Sequence, residues 1–294
     1  MRWQFTLPLI RMILKPVWLL SALLLIGTST AIAFFPESPS ELTLLSQGKQ
    51  RYQATCPILS KVILSEESQT LPMPFKLLNW NIYKQQEKSW QQSLQEWATS
   101  ADILTLQEAK LSPELINFSK QNKLFYLQNY AFKHSGFVYG VNTLSKVEAI
   151  STCGTAHREP WIWVPKTGIA STYPIQGSEY PLLVINLHGI NFTLTEKPLK
   201  KQIEPYLALI KTHHGPIIFS GDFNTWSEAR LEGVEQSLIA SGFSEALFDE
   251  DKRLTIFGLP LDHIFFRGLK VLEAQSLVTD SSDHSPQLVT FDLD

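Results

Sequence analysis

The sequence predicts an α+β protein, two sheets with helices outside, and three observations carry that expectation. Between Phe75 and Asp294, short apolar runs of strand length alternate with amphipathic helical segments. A strand-rich stretch from Phe137 to Gly189 interrupts the alternation, as hairpins do. Of the 294 residues 44% are apolar, enough for a sizeable core and too many for a disordered chain. Hairpins mixed with β-α units argue for layered α+β architecture.

In chain order, residues 1–36 come first and differ from the rest. Arg2, Arg11 and Lys15 precede Val17 to Phe35, nineteen residues without a charge, close to the ~20 that cross a bilayer as a helix. The positive-inside tendency leaves the first residues in the cytoplasm and sends the rest across. One reading is an uncleaved anchor in the inner (cell) membrane, with the following domain periplasmic or extracellular. Another is a signal peptide cut after Ala31 to Ala33, giving a secreted protein. A buried helix of a soluble domain is a third, less suited to a segment apolar on all faces.

Residues 37–74 mix Ser, Gln, Glu and Pro and read as a spacer with room for one short strand. Cys56 and Cys153 can pair in an oxidising compartment or remain two buried thiols in the cytoplasm. From Phe75 the elements follow as strand "FKLLNWNIY", helix "KSWQQSLQEWATS" with Trp90, Leu94 and Trp97 on one face, and strand "ADILTLQEA". Ser112-Pro113-Glu114 is a helix start. A helix is expected from Pro198 to His213, then strand "IIFSG", a helix near Ser227, and strands "LDHIFFRGL", "LKVLEAQSLV" and "SPQLVTFDL".

The formal net charge is -3; with the three N-terminal cations set aside, 22 basic residues face 28 acidic ones, a balance of -6. Extensive non-specific duplex binding would favour the opposite sign.

Polar residues collect where strands end. Asn81 closes "LLNWN", Glu108 "ILTLQE" and His188 "VINLH"; Asp222 and Asn224 follow "IIFSG"; Asp262 and His263 interrupt "LPLDHIFF"; Asp283 and His284 precede "SPQLVTF". Each alone is a turn or cap, since Asp and Asn bond their own backbone there. Together, at one rim of a sheet, they would line one pocket. Carboxylates and an amide without a cysteine cluster suit Mg²⁺ or Mn²⁺ better than zinc. The adjacent His213 and His214 point apart and serve a turn. A hard ion, an oriented histidine and a positioned aspartate fit attack of water on phosphorus.

"WNIY", "LTLQEA", "GVNTLSK", "VINLHGIN", "SGDFNTW", "LDHIFF" and "SSDHSP" resemble, in order and rough spacing, the endonuclease/exonuclease/phosphatase (DNase I-like) superfamily, and within it a bacterial YafD-like branch. The resemblance spans Phe75 to Asp294. It implies a four-layer sandwich of two mostly antiparallel sheets with outer helices, and a Mg²⁺- or Mn²⁺-dependent phosphoesterase acting on a phosphate-ester substrate. Carried over by position, Glu108 is the main metal ligand, Asn81 the amide beside it, and Asp283 supports the metal side. Asp222 positions or deprotonates the attacking water, Asn224 contacts the phosphate, and His188 lies near it, offsetting charge with His284. Asp262 and His284 form a carboxylate-imidazole pair. Asn191 is either a phosphate contact or a turn residue.

His263 departs from the family pattern, and strand alternation turns it to the face opposite Asp262. Lys146, Arg158 and Lys166 are further candidates for phosphate oxygens. Nucleic acid, phospholipid head group and small phosphodiester all remain open as substrate. The membrane, reached through the N-terminal helix, is an expected partner; no protein partner is inferable. The alternative function is an inactive fold member acting as a membrane-anchored binding protein.

Overall fold

The computed structural model describes residues 36–61, 69–162 and 164–294. The predicted span Val17 to Phe35 lies outside them; among the described residues no helix is long and apolar enough to cross a membrane. Ser38–Asp294 form one compact unit. Its elements are β1 (Leu44–Ser46), β2 (Gln50–Tyr52), β3 (Ser60–Lys61), β4 (Phe75–Asn81), α1 (Trp90–Ala98), β5 (Ile103–Lys110), α2 (Pro113–Gln121), β6 (Phe125–His134), β7 (Phe137–Ser145), β8 (Ser151–Arg158) and β9 (Pro165–Tyr173). There follow β10 (Leu182–His188), α3 (Lys197–Thr212), β11 (Ile217–Asp222), α4 (Glu228–Ile239), β12 (Ser244–Glu245), β13 (Thr255–Ile256), β14 (Leu259–Pro260), β15 (Asp262–Arg267), β16 (Leu269–Ser276) and β17 (Gln287–Leu293).

The first sheet runs β16-β17-β4-β5-β7-β6-β1-β2 and the second β12-β15-β11-β10-β9-β8-β3. Pairing is antiparallel except β4 with β5 and β10 with β11. On the outer face of the first sheet, Trp90, Leu94, Leu115 and Phe118 of α1 and α2 pack on Trp80, Leu104 and Tyr126. Leu199, Ile203, Tyr206 and Val234 of α3 and α4 belong to the core cluster of the second sheet, with Phe219 and Ile218. Ser112 caps α2 as its sequence signature predicts, accepting from Leu115 N at 3.2 Å.

Between the sheets runs a buried polar seam. Across it, Gln107 Nε2 donates to Asn186 Oδ1 at 2.8 Å and the Thr105 and Ser220 hydroxyls meet at 3.0 Å, while within the first sheet Asn79 Nδ2 donates to Gln287 Oε1 at 3.0 Å. All six residues have no exposed surface. Such groups are tolerated inside only when paired, and the pairing fixes one register between the facing sheets.

The stretch 37–74 departs from the spacer expectation. β1 pairs with β6 and β3 with β8, while Leu71 N donates to Pro174 O at 2.8 Å. Strands of two or three residues are too short to show alternation, so their pairing is not legible in sequence. Cys56 and Cys153 are joined by a disulfide across 97 residues of chain, with Cα atoms 5.1 Å apart. Such links typically contribute about 2–4 kcal/mol, and the chain-entropy argument for a loop this long gives about 4.7 kcal/mol. Replacing both by serine should therefore lower the thermal or urea midpoint, and an unchanged midpoint would show that the link adds nothing to this fold.

Candidate active site

Asp222 ends β11 with both oxygens engaged. Oδ1 accepts from Asn224 N at 2.9 Å, the Asx turn that its residue type favours, and Oδ2 accepts from Asn81 Nδ2 at 3.0 Å. One carboxylate thus closes the turn after the strand and ties the second sheet to the end of β4. Gly221 allows this: a Cβ there would sit 2.0 Å from Leu187 O.

The backbone is unusual at three places around Asp222. Glu108 lies in a bulge of β5 with φ 53°, Asn224 has φ 53°, and Tyr83, Lys84 and Gln85 are all left-handed. Such conformations cost on the order of 1–3 kcal/mol each and collect at functional sites. The left-handed run carries the Lys84 ammonium back onto Glu108 Oε2.

His284 Nδ1 is 2.7 Å from Asp262 Oδ2, and its Nε2 is 3.9 Å from Asp222 Oδ2. Burial alone would lower the ring's pKa, but Asp262, then Asp222 and Asp283, outweigh it and raise it to about 10. The imidazolium therefore gives one N–H to Asp262 and presents the other toward Asp222. Ser282 holds the loop, donating to Asn81 O at 2.6 Å and accepting from His284 N at 3.1 Å.

His188 Nε2 lies 3.5 Å from Asp222 Oδ2 and 3.8 Å from Glu108 Oε1. Burial, reinforced by the Lys166, Lys84 and His284 charges, holds the ring well below its ordinary pKa. It is neutral, and its Nε2 accepts from the Lys166 ammonium. A neutral ring does not carry the charge expected of His188; the cations around it are Lys166, Lys84 and His284. Burial raises the Asp222 carboxyl, as does Asp262, while His284 and Lys166 restrain it, and the net direction is up. Glu108 would also be raised by burial, but Lys166 and Lys84 bring it below the usual range.

Asn81, Glu108, His188, Asp222, Asp262 and His284 thus converge from both sheets, with Asn224 adjoining. Asn224 Nδ2 is spent on Gly189 O at 3.0 Å, so the side chain braces the loop after β10. Asn191 stands apart, its Oδ1 accepting from Trp226 Nε1 at 2.9 Å. Asp283 is exposed; its charge acts on His284 rather than completing the buried group. Lys146 pairs with Asp102 at the start of β5, at the far end of the strands, and Arg158 is exposed at the end of β8. His263 faces away from Asp262 as alternation predicts, buried between Glu245 and Thr225 at 2.7 Å each.

Sequence reasoning missed four supporting residues. Lys84 and Ser282 sit beside motif residues and offer no pattern of their own. Glu159, fully buried, accepts from Asn191 N at 2.6 Å and Phe192 N at 3.0 Å, and Arg230 donates to Asn224 O at 2.7 Å and Thr193 Oγ1 at 2.7 Å. The available signal for Arg230 was helical spacing, since it shares the i, i+4, i+8 face of α4 with Val234 and Leu238 while Glu228, Glu232 and Glu235 fall on other faces.

The donor set can be tested against a hard cation. Among the described residues, ligand atoms of Asp222, Asp262 and His284 lie within 4.8 Å of one another, and Asp262 Oδ1 is buried without a partner. His284, however, is cationic and committed to Asp262, which makes it a poor ligand. Glu108 is held ionised by Lys166 and Lys84, with the neutral His188 ring 3.8 Å away and no thiol beside it. That environment fits Mg²⁺ or Mn²⁺, with the Lys84 ammonium now resting on Glu108.

A family profile described as the Endonuclease/Exonuclease/phosphatase family matches residues 78–284. A UPF0294 protein of Vibrio vulnificus is 40% identical over 260 residues, 88% of this chain and 89% of that one. A UPF0294 protein of Erwinia tasmaniensis is 39% identical over 218 residues, 74% of this chain and 81% of that one. Among solved structures, ANGEL2, described as a 2',3'-cyclic phosphatase in complex with adenosine-2',3'-vanadate, superposes with TM-score 0.59 at 16% identity, covering 74% of this chain and 95% of that one. The human Nocturnin catalytic domain with bound sulfate gives TM-score 0.59 at 16% identity, covering 78% and 97%. At these identities the structural likeness shows a common fold, whereas the profile and the bacterial relatives carry the membership: the chain belongs to the endonuclease/exonuclease/phosphatase family, whose members are phosphoesterases, and is similar throughout the domain to UPF0294 proteins.

Proposed function

We propose that this chain is a metal-dependent phosphoesterase that hydrolyses a phosphodiester or phosphomonoester by in-line attack of water. Its N-terminal run anchors it in the membrane, with the catalytic domain on the periplasmic or outer side. The observation that carries the chemistry is the buried Asp262–His284–Asp222 arrangement beside an ionised Glu108. The disulfide fits an oxidising compartment. Two proteins of this fold, described with a vanadate adduct and a sulfate, add support for phosphoester chemistry.

Asp222 takes the proton of the attacking water, a task suited by its raised pKa, while Asn81 fixes its orientation at 3.0 Å. His284 donates from Nε2 to a phosphoryl oxygen as negative charge grows there, and Asp262 holds the ring charged and oriented. Lys166 brings a second cation to the same cleft. When bound, Mg²⁺ or Mn²⁺ held by Glu108 and Asn81 supplies Lewis-acid polarisation of the phosphoryl group.

Purified protein should hydrolyse bis-p-nitrophenyl phosphate with Mg²⁺ or Mn²⁺ and stop in EDTA. Glu108→Gln should raise the metal concentration needed for half-maximal rate before it affects the melting temperature. Full activity in EDTA would overturn metal dependence, and no turnover of plasmid DNA, RNA, sphingomyelin, inositol phosphates or the chromogenic diester would favour a binding protein instead.

The pH dependence has a definite sign. The rate should rise as pH passes upward through the elevated Asp222 value, and fall as pH climbs toward about 10, where His284 loses its proton. Asp262→Asn removes the largest charge raising His284, so the alkaline limb of kcat/KM should move down by about one unit or more. An unmoved limb would separate His284 protonation from catalysis.

A further inference from the structure

The connections at the active-site end of the strands carry large apolar side chains turned to solvent. Trp161 and Ile162 stand on the β8–β9 turn, 67% and 51% exposed; Phe192 and Leu194 follow His188 in the β10–α3 loop, 51% and 86% exposed; Phe257, at 87%, tips the β13–β14 hairpin just before Asp262. Buried Glu159 knits the first two loops, accepting from Phe192 N two residues before Trp161. The hairpin is pinned beside Asn224 by Thr225 Oγ1, which donates to Pro260 O at 2.5 Å. Scattered apolar residues are ordinary on a surface; five on three connections at the one end of the second sheet that carries the site mark an interaction site.

Charge and chain path point to the occupant. Exposed Lys197 and Lys201, with half-buried Lys200, open α3 after Leu194, Thr195 and Glu196, and burial, then Lys201, lower the pKa of His157 at the end of β8 against the opposing Glu204. Cations beside protruding apolar side chains match the anionic face of a bilayer, where the chains enter and the ammonium groups stay at headgroup level. The chain also enters the domain at this end. Pro39 to Leu42 line a cleft with Arg158 and Pro165, the base of the β8–β9 turn.

We propose that this rim seats on an anionic phospholipid surface and that the site takes phosphoesters presented there. The proposal rests on the phosphoesterase reading for its substrate and on the rim geometry for its docking, and the two are separable. In hydrolysis of phosphatidyl-p-nitrophenol, water would attack phosphorus, the bond to the nitrophenol oxygen would break, and the products would be phosphatidic acid and p-nitrophenol.

The full chain is reconstituted in vesicles of phosphatidylethanolamine and phosphatidylglycerol containing lipids spin-labelled on the acyl chain. Because Cys56 and Cys153 are bonded to each other, a thiol at Phe257→Cys takes a fluorophore selectively. A second variant, Leu272→Cys on exposed β16, serves as comparison. Quenching at 257 well above that at 272 is expected; equal or absent quenching at 257, or cross-linking of 257 to a second copy instead, overturns the docking. On the same reconstituted protein, phosphatidyl-p-nitrophenol in the vesicle is compared with soluble bis-p-nitrophenyl phosphate. Trp161→Ala combined with Phe192→Ala and Phe257→Ala should lower the vesicle-to-soluble rate ratio at least about tenfold, and an unchanged ratio overturns surface presentation. If the wild type hydrolyses neither ester while 257 is quenched, the phosphoesterase reading falls and the docking surface stands.

Discussion

The site depends on the polar seam between the two sheets. Glu108 and Asn81 belong to one sheet, His188, Asp222 and Asp262 to the other, and no local sequence relation brings them together. Gln107 with Asn186 and Thr105 with Ser220 lock the facing strands one to three residues below those side chains. An apolar interface of equal area would allow the sheets to slide at small cost. A buried hydrogen bond misplaced by an ångström leaves an unsatisfied group, at about 1–3 kcal/mol each. The 3.0 Å contact from Asn81 to Asp222 is the uppermost of these crossings and the one that faces the cleft.

Above the seam, the cleft holds charges that would not be stable inside one at a time. Asp222, Asp262 and Glu108 are compensated by His284, Lys166 and Lys84, and the compensation decides protonation. His284 is charged because two aspartates flank it; His188, as deeply buried but facing two lysines, is neutral. Two histidines of one cleft thus take opposite states: His284 holds a proton and His188 does not. The orphan Asp262 Oδ1 and the left-handed Glu108 and Asn224 are the unfavourable features of the same arrangement. They are kept where an ordinary core would have relaxed them.

Much of this was legible in the sequence. Strand-end placement of Asn81, His188, Asp222 and Asp262 follows from apolar runs of fixed length, and the layered α+β class from their alternation with amphipathic helices, whereas Glu108 lies at a bulge two residues before β5 ends. Alternation alone placed His263 on the far face. Other parts were not legible because they depend on distant partners. β1 to β3 are held by β6, β8 and the disulfide rather than by any pattern of their own. The Lys84 contact needs three consecutive left-handed residues at Tyr83, Lys84 and Gln85, none a glycine, which no propensity rule anticipates. For Asn191 the resemblance left a phosphate contact and a turn both open; its side chain accepts from Trp226 and its backbone N–H donates to Glu159 on another loop, neither contact being readable from local sequence.

The central claim is that Asp262 and His284 act as one unit within this cleft. A double-mutant cycle on kcat with a soluble phosphodiester tests it most directly, comparing Asp262→Asn, His284→Ala and the combined variant. The account predicts that each single change costs on the order of 10²-fold or more and that the double variant is little worse than His284→Ala alone. Losses that multiply would show two independent contributions and contradict the pairing.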